Sequence, residues 1–344
     1  LNVKILGIET SCDETSVAVV EDGVHILSNI TATQHEFHRE YAGVVPEIAS
    51  RRHQEVIPYV VEKALRRAGA AFADLDAVAV TAYPGLIGSL LIGVLVAKTM
   101  SFTLGLPLIG IDHIAAHLYS VHFNNRVQYP TLGLVVSGGH TLSVRSESIG
   151  SYEILGSTLD DAVGEAFDKV SKHLDLGYPG GPAIEVAARE GNEEAYDFPR
   201  VLLNRREDRY NFSYSGLKNA VINQRARLLK DGFHAGASNV AASFQAAATD
   251  VLLTKAIWMC EDLGINRVAL AGGVSNNSRL RRLFRDERGF ETYLPERSLT
   301  QDNGAMIAGL AYHSLKEGSI STLDLEPRSR IANITRGKRQ KHVN

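Results

Sequence analysis

Apolar and polar positions come in short blocks along the first third of the chain. VKILGI at residues 3–8 has the length and composition of a buried strand. The polar turn ETSCDET follows, then a second strand, SVAVV, at 16–20, and EDG at 21–23 turns the chain into a third strand near 24–31. Residues 46–68 read as a helix, with Pro46 in its first turn and Gly69 just past its end. A strand at 75–82, a turn YPGLIG, a long helix from about 86 to 104 and a short strand near 107–111 complete the block.

The plan restarts at residue 131. TLGLVVSGGHTLSVRSESIG is again strand, small polar turn, strand and hairpin glycine. VALAGGVSNNSRLRRLF at 268–284 then repeats the strand, Gly-rich turn and helix of VAVTAYPGLIGSLLIG. The second copy carries extra helices over roughly 161–264. Two copies of one α/β plan predict a bilobal protein with a ligand cleft between the lobes. The expected lobes are 1–130 and 131–300, with a helix near 302–316 packing back on the first and a basic tail at 318–344. The alternative is one doubly wound sheet with insertions.

Composition narrows the class. The chain has 344 residues, a net charge of −3 and only two cysteines, Cys12 and Cys260. That excludes a disulfide framework, fits a reducing cytoplasm and gives no global nucleic-acid signal. Basic residues cluster locally at Arg51 and Arg52, Arg66 and Arg67, 204–209, 279–285 and 336–342. Each alone is a solvated face; as a set they suit a phosphate backbone. LIGSLLIGVLVA, 86–97, is too short and Gly-interrupted for a membrane span and is expected to be a buried core helix. LNVKILGIET reads as a strand, without the basic region or cleavage site of a signal peptide.

Candidate chemistry starts at GIDHIAAHLYS, 110–120, which sets His113 and His117 four apart, on one helix face. Ile114 follows His113, so the Glu of the hydrolytic H-E-x-x-H motif is missing and a metal there needs another task. Asp302, just before a helix, is either its N-cap or a carboxylate completing the pair; two imidazoles and one carboxylate leave open positions on zinc or iron. VSGGH offers the backbone of Val136, Ser137, Gly138, Gly139 and His140 to a phosphate or acyl group, the glycines permitting positive φ. Ser11, Asp13 and Glu14 occupy the matching turn of the first copy, as a phosphate loop or cation site.

GYPGGPAIEVAA at 177–188 brings Gly181 and, in the first helical turn, Pro182 and Glu185, suited to an anion or to sugar hydroxyls. Asp168 reads as a helical carboxylate paired with Lys172. AGGVSNN suits a nucleotide base or sugar, with Asn277 supplying an amide.

Nine motifs, GIETSCDET, PGLIGSLLIG, LPLIGIDHIAAH, VSGGHT, GEAFDKV, YPGGP, FSYSGLK, AGGVSNN and QDNGAMIA, run in one order over residues 7–308. In that order they resemble the TsaD family, the tRNA N6-adenosine threonylcarbamoyltransferases. The resemblance implies an actin/Hsp70-like (ASKHA) bilobal fold with a central nucleotide cleft. It implies one iron or zinc ion on His113, His117 and Asp302, an acyl-phosphate region along Val136 to His140, and nucleoside contacts from Asp168, Gly181, Glu185 and Asn277. Position 185 is Asp in many relatives and Glu here. The implied reaction carries threonylcarbamoyl from threonylcarbamoyl-AMP, an adenylate bound like ATP or ADP, to N6 of adenosine 37 in tRNAs reading codons that begin with A. The implied partners are tRNA and, in bacteria, a TsaB-like paralogue and a TsaE-like P-loop ATPase, with no membrane. The sequence identifies no general base; His140, near the glycines, is one candidate. The rival readings are a nucleotide-binding ATPase-like scaffold, a metal-dependent glycoprotease and a sugar kinase.

Overall fold

The computed structural model describes residues 2–38, 41, 43–202, 206–230 and 237–330. The basic cluster at 336–342 and part of that at 204–209 lie outside the described residues.

The first sheet is built from β1 (Lys4–Glu9), β2 (Glu14–Glu21), β3 (His25–Thr33), β4 (Ala77–Tyr83) and β5 (Leu108–Asp112). β1 pairs antiparallel with β2 and parallel with β4, giving the order β3-β2-β1-β4-β5. Alternation along these strands feeds two layers. Leu6, Ile8, Val17, Val19 and Val80 face one core, which includes Ile57, Val61 and Leu65 from helix α2 (Pro46–Ala68); the four-residue α1 (His35–His38) precedes it. Ile5, Ala18, Ala79 and Ile111 face the other core, closed by Ala305, Met306 and Ala308 of α10 (Gly304–Lys316).

The last helix therefore returns to the first sheet. Gly7 allows it: a Cβ there would stand 2.5 Å from both the Gly304 carbonyl and the Ala308 nitrogen.

The second sheet comprises β6 (Thr131–Val136), β7 (Thr141–Ser148), β8 (Ser151–Ser157), β9 (Arg267–Ala271) and β10 (Glu291–Tyr293). Read from its antiparallel edge its order is β8-β7-β6-β9-β10, the same topology as the first. The duplicated plan is thus real, and a single doubly wound sheet is not what forms. Helices α5 (Val163–His173), α6 (Gly180–Ala188), α7 (Ser215–Lys230) and α8 (Ala237–Leu263) fall between β8 and β9, and α9 (Ser278–Asp286) between β9 and β10.

The long apolar helix α3 (Ile87–Leu104) differs from its expectation. Leu90, Val94 and Ala97 are buried, but Ile87, Leu91, Leu95 and Phe102 are exposed, so it is a half-buried rather than a core helix. By length and composition alone it meets the minimum for a membrane span, yet its inner face packs on the first sheet.

Helix α4 (His113–Tyr119) sits between the sheets. Ala115, Ala116 and Tyr119 join the core of the first sheet with α10, while Ile114 packs with Val135, Leu142, Val144 and Ala271 of the second. The element carrying both histidines is therefore clamped by both halves of the molecule.

Candidate functional site

Helix α4 starts where β5 ends. Asp112 is its N-cap: Oδ1 accepts the Ile114 and Ala115 N–H groups at 2.8 and 3.2 Å. His113 is the first helical residue, and His117 lies one turn on. Their Nε2 atoms stand 3.1 Å apart. Asp302 Oδ1 is 3.0 Å from His117 Nε2 and 3.6 Å from His113 Nε2. One donor atom from each residue thus lies within 4.8 Å of the others, with both histidines buried and Asp302 partly exposed. Two borderline nitrogens and one carboxylate oxygen fit a zinc- or iron-type ion with positions left for substrate.

The N-cap reading of Asp302 is corrected. Asn303 caps α10, its Oδ1 accepting the Met306 N–H at 3.0 Å. That leaves the Asp302 carboxylate turned to the histidines.

The charges are coupled. Burial works against an ionised His113, but the Glu9 and Asp302 carboxylates reverse this and push it up to about 9. Burial likewise works against the Asp302 anion, and His113 and His117 hold it well below the usual carboxylate range. Burial opposes a charged Glu9 too, yet His113 keeps it below its ordinary value.

The VSGGH turn joins β6 to β7. It closes on itself through Ser137 N–H to the His140 carbonyl (2.8 Å) and His140 N–H to Ser137 Oγ (3.1 Å). It brings His140 to within 6.3 Å of the His113 ring, centroid to centroid. Burial, then the neighbouring His113, push His140 down to about 4, so it is neutral. Gly138 and Gly139 do not use positive φ, contrary to expectation; instead a Cβ at either meets open space, which leaves the backbone approachable. The constraint falls on Gly272 of the AGGVSNN turn. It has φ 86°, and a Cβ there would be 2.5 Å from the Val136 carbonyl oxygen.

The nucleoside candidates fall on three neighbouring elements of the second half. Asp168, on α5, does not pair with Lys172; its Oδ1 accepts the Gly180 N–H at 2.7 Å, at the start of α6. Burial pushes its carboxyl up to about 6 against the opposing pull of that N–H. Helix α6 begins at Gly180, so Glu185 lies in its second turn, not its first, and Pro182 is the third helical residue. Gly181 faces open space.

Glu185 Oε2 accepts the Ser278 N–H at 3.3 Å and lies 3.5 Å from Asn277 Nδ2. Asn277 is already engaged: Oδ1 caps α9 at Leu280 N–H (3.0 Å) and Nδ2 donates to Gln245 at 2.7 Å. Of the 279–285 basic cluster, Arg279 pairs with Glu193 and Asp250, and buried Arg281 donates to the Ser275 and Pro295 carbonyls. These two are not available to a phosphate backbone.

In the first-half turn, Ser11 Oγ is 3.4 Å from His113 Nδ1. Asp13 and Glu14 converge instead on His35, with Glu14 Oε1 3.1 Å from its Nε2. Burial and Asp13 raise Glu14 well above the ordinary carboxyl range.

Three residues escaped the sequence reading. Glu9 ends β1 as a fully buried carboxylate against His113. His53 lies on the buried face of α2 and buckles the turn: Nε2–H donates to the Cys12 carbonyl at 2.9 Å, so Nδ1 accepts from the Thr15 hydroxyl at 2.7 Å. Tyr152 reaches Asp112 from β8. A charged residue closing an apolar strand, and a lone His at 53 in the helical run 49, 57, 60, 61, 64, were the available signals.

A family model described as "TsaD: tRNA N6-adenosine threonylcarbamoyltransferase" matches residues 25–309. The chain is 51% identical over 331 residues to the protein of that enzyme name from Brachyspira hyodysenteriae, covering 96% of this chain and 97% of the relative. It is 46% identical over 338 residues to the one from Treponema denticola, covering 98% and 100%.

Among solved structures it is similar to full-length HypF in its phosphate- and nucleotide-bound form, with TM-score 0.62 and 17% identity over 93% of this chain and 47% of HypF. It is also similar to the ADPNP-bound activator of 2-hydroxyisocaproyl-CoA dehydratase from Clostridium difficile, with TM-score 0.53 and 15% identity over 92% and 97%. These two likenesses establish the actin/Hsp70-like fold. On the family match and the near full-length identity, the chain belongs to the TsaD family of tRNA N6-adenosine threonylcarbamoyltransferases.

Proposed function

We propose that the protein transfers threonylcarbamoyl from threonylcarbamoyl-AMP to N6 of adenosine 37 in tRNAs reading codons that begin with A. The observation that carries this reading is the meeting of His113, His117 and Asp302 beside the VSGGH turn, between the two sheets. The lobes are taken as 1–130 and 131–300, with the ligand between them.

The exocyclic amine of adenosine is a weak nucleophile, so the acyl donor must be strong, and a carbamoyl-phosphate anhydride is one. The N6–C bond forms, the C–O bond to phosphate breaks, AMP leaves and one N6 proton is released. When bound, an iron or zinc ion on His113, His117 and Asp302 supplies Lewis-acid stabilisation of charge on the phosphate and acyl oxygens.

The chain's own groups do the rest. Backbone N–H groups of the open Gly138–Gly139 turn suit the developing oxyanion. His140, whose ring lies 6.3 Å from that of His113, is the proposed acceptor of the N6 proton. Asp168, Gly181, Glu185 and Asn277 form the nucleoside side, and Ser11, Asp13 and Glu14 the facing loop. Glu185 and Asn277 act as a preformed pair, because each is already hydrogen-bonded to α9. The proposed partners are a TsaB-like paralogue and a TsaE-like P-loop ATPase, in the cytoplasm with the tRNA substrate.

The glycoprotease reading lacks the base of its H-E-x-x-H motif. Ile114 is buried in the core, and the carboxylate beside His113, Glu9, has no exposed surface and both oxygens engaged. The test is nucleoside mass spectrometry of an unmodified transcript of such a tRNA. It is incubated with the protein, threonylcarbamoyl-AMP and both partners. The modified nucleoside t6A is expected; none, with partners that work alongside a known homologue, overturns the proposal.

A further inference from the structure

Glu9 is an unusual place for a charge. It is fully buried, and three donors converge on it. Ser11 N–H donates to Oε1 at 2.5 Å, and the Thr81 hydroxyl donates to Oε2 at 2.5 Å. His113 Nδ1 lies 3.0 Å from the same Oε2. With no exposed surface it cannot touch substrate, so its role must act through a neighbour.

The neighbour is His113. A carboxylate only accepts, so the imidazole nitrogen facing it carries the proton. That leaves Nε2 as the nitrogen facing His117 and Asp302. A competitor is present: Ser11 Oγ is 3.4 Å from the same Nδ1, and a hydroxyl can donate. Without the carboxylate, a Ser11 O–H to Nδ1 bond would move the ring proton to Nε2, the nitrogen a metal needs bare. His117 has no comparable anchor, since its buried Nδ1 lacks a hydrogen-bond partner among the described residues.

We propose that Glu9 is a positioning residue that keeps a proton on His113 Nδ1, so that Nε2 is the nitrogen that gives up its proton to a metal and turns its lone pair toward His117 and Asp302. The inference rests on reading those three residues as metal ligands. A carboxylate behind a ligating imidazole fixes the ring and raises its basicity, and removing it commonly weakens metal binding about 10–100-fold. Glu9 also adds its negative charge to that of Asp302 beside a dication held there.

The test is zinc titration of the metal-free full chain for wild type, Glu9→Gln and Thr81→Val. The amide cannot accept from Ser11 N–H and His113 Nδ1–H together, so E9Q should weaken zinc about 10–100-fold. T81V deletes an equally buried hydrogen bond to the same oxygen but leaves the charge, and zinc affinity should stay within about threefold. A parallel ¹⁵N-histidine spectrum of zinc-loaded wild type should show His113 bound through Nε2 with a protected Nδ1–H, and it decides the matter even if E9Q fails to fold. E9Q binding as tightly as wild type, T81V losing as much as E9Q, or a proton on His113 Nε2 would overturn the inference. Failure of wild type to bind zinc or iron at all would instead overturn the ligand assignment beneath it.

Discussion

The Tyr152 hydroxyl donates to Asp112 Oδ2 at 2.8 Å, tying β8 of the second sheet to the residue that caps the His-bearing helix. The other oxygen of Asp112 holds the first two free N–H groups of that helix. One carboxylate thus joins the two halves and sets where His113 begins. Losing the Tyr152 bond should cost about 1 kcal/mol, and losing cap and bond together about 2 kcal/mol. Urea unfolding of Tyr152→Phe and Asp112→Ala should therefore rank wild type, Y152F, D112A in falling stability. An Asp112→Ala protein as stable as wild type would show that the link carries no load.

Gly272 makes a close backbone contact beneath the VSGGH turn. At φ 86° and ψ 163° it occupies a region that essentially only glycine enters, and its missing Cβ leaves room for the Val136 carbonyl. Gly272→Ala should lower unfolding stability by about 2–3 kcal/mol. It should also displace the turn that presents Ser137 to His140, seen as a change in the His140 resonances. A neutral substitution would contradict the close approach.

Asp168 predicts a pH signature. Its carboxyl rises from 3.8 to about 6 in the folded protein, so the folded state holds a proton that the unfolded state has already lost between those values. Stability contributed by the protonated form is present below about 4 and lost as pH rises to about 6. Asp168→Asn mimics the protonated group and can still accept the Gly180 N–H. The melting temperature of D168N relative to wild type should increase from pH 4 to 6 and then level off. A constant difference across that range would show that the carboxyl titrates normally.

His53 offers a separate test of the first-half turn. It is buried, and burial lowers it despite its bond to the Cys12 carbonyl, so it stays neutral. His53→Ala removes both bonds that buckle residues 12 and 15 and opens a cavity, for a cost of about 2–4 kcal/mol. Backbone amide exchange at 11–15 should speed up more than at β9. Equal effects at both places would mean a purely global loss.

Local pattern carried much of this architecture. The apolar runs at 3–8 and 131–136 and their matching turns reveal the duplication, because short buried strands bounded by polar turns are a local signal. The face of α3 was not legible: a run that is apolar all round has no periodicity to tell which side meets the sheet. The start of α6 was misplaced for a different reason. A distant carboxylate, Asp168, satisfies the Gly180 N–H, so the helix begins before the proline that usually marks the first turn.

At the site, the i, i+4 spacing of His113 and His117 is visible on its face. Their meeting with Asp302 depends on α10 returning to the first sheet, and Glu9 depends on β1 ending beside α4. Neither is local, and the place of Glu9 at the end of an apolar strand hints at its burial but not at its partner.

Transfer to tRNA is proposed to need the His113, His117 and Asp302 cluster. The most direct measurement is the single-turnover rate of t6A formation by wild type and His113→Ala, with bound metal quantified in both. Metal-loaded wild type should form product, and the variant almost none, together with loss of its metal. Equal rates from a metal-free variant and wild type would contradict the proposal.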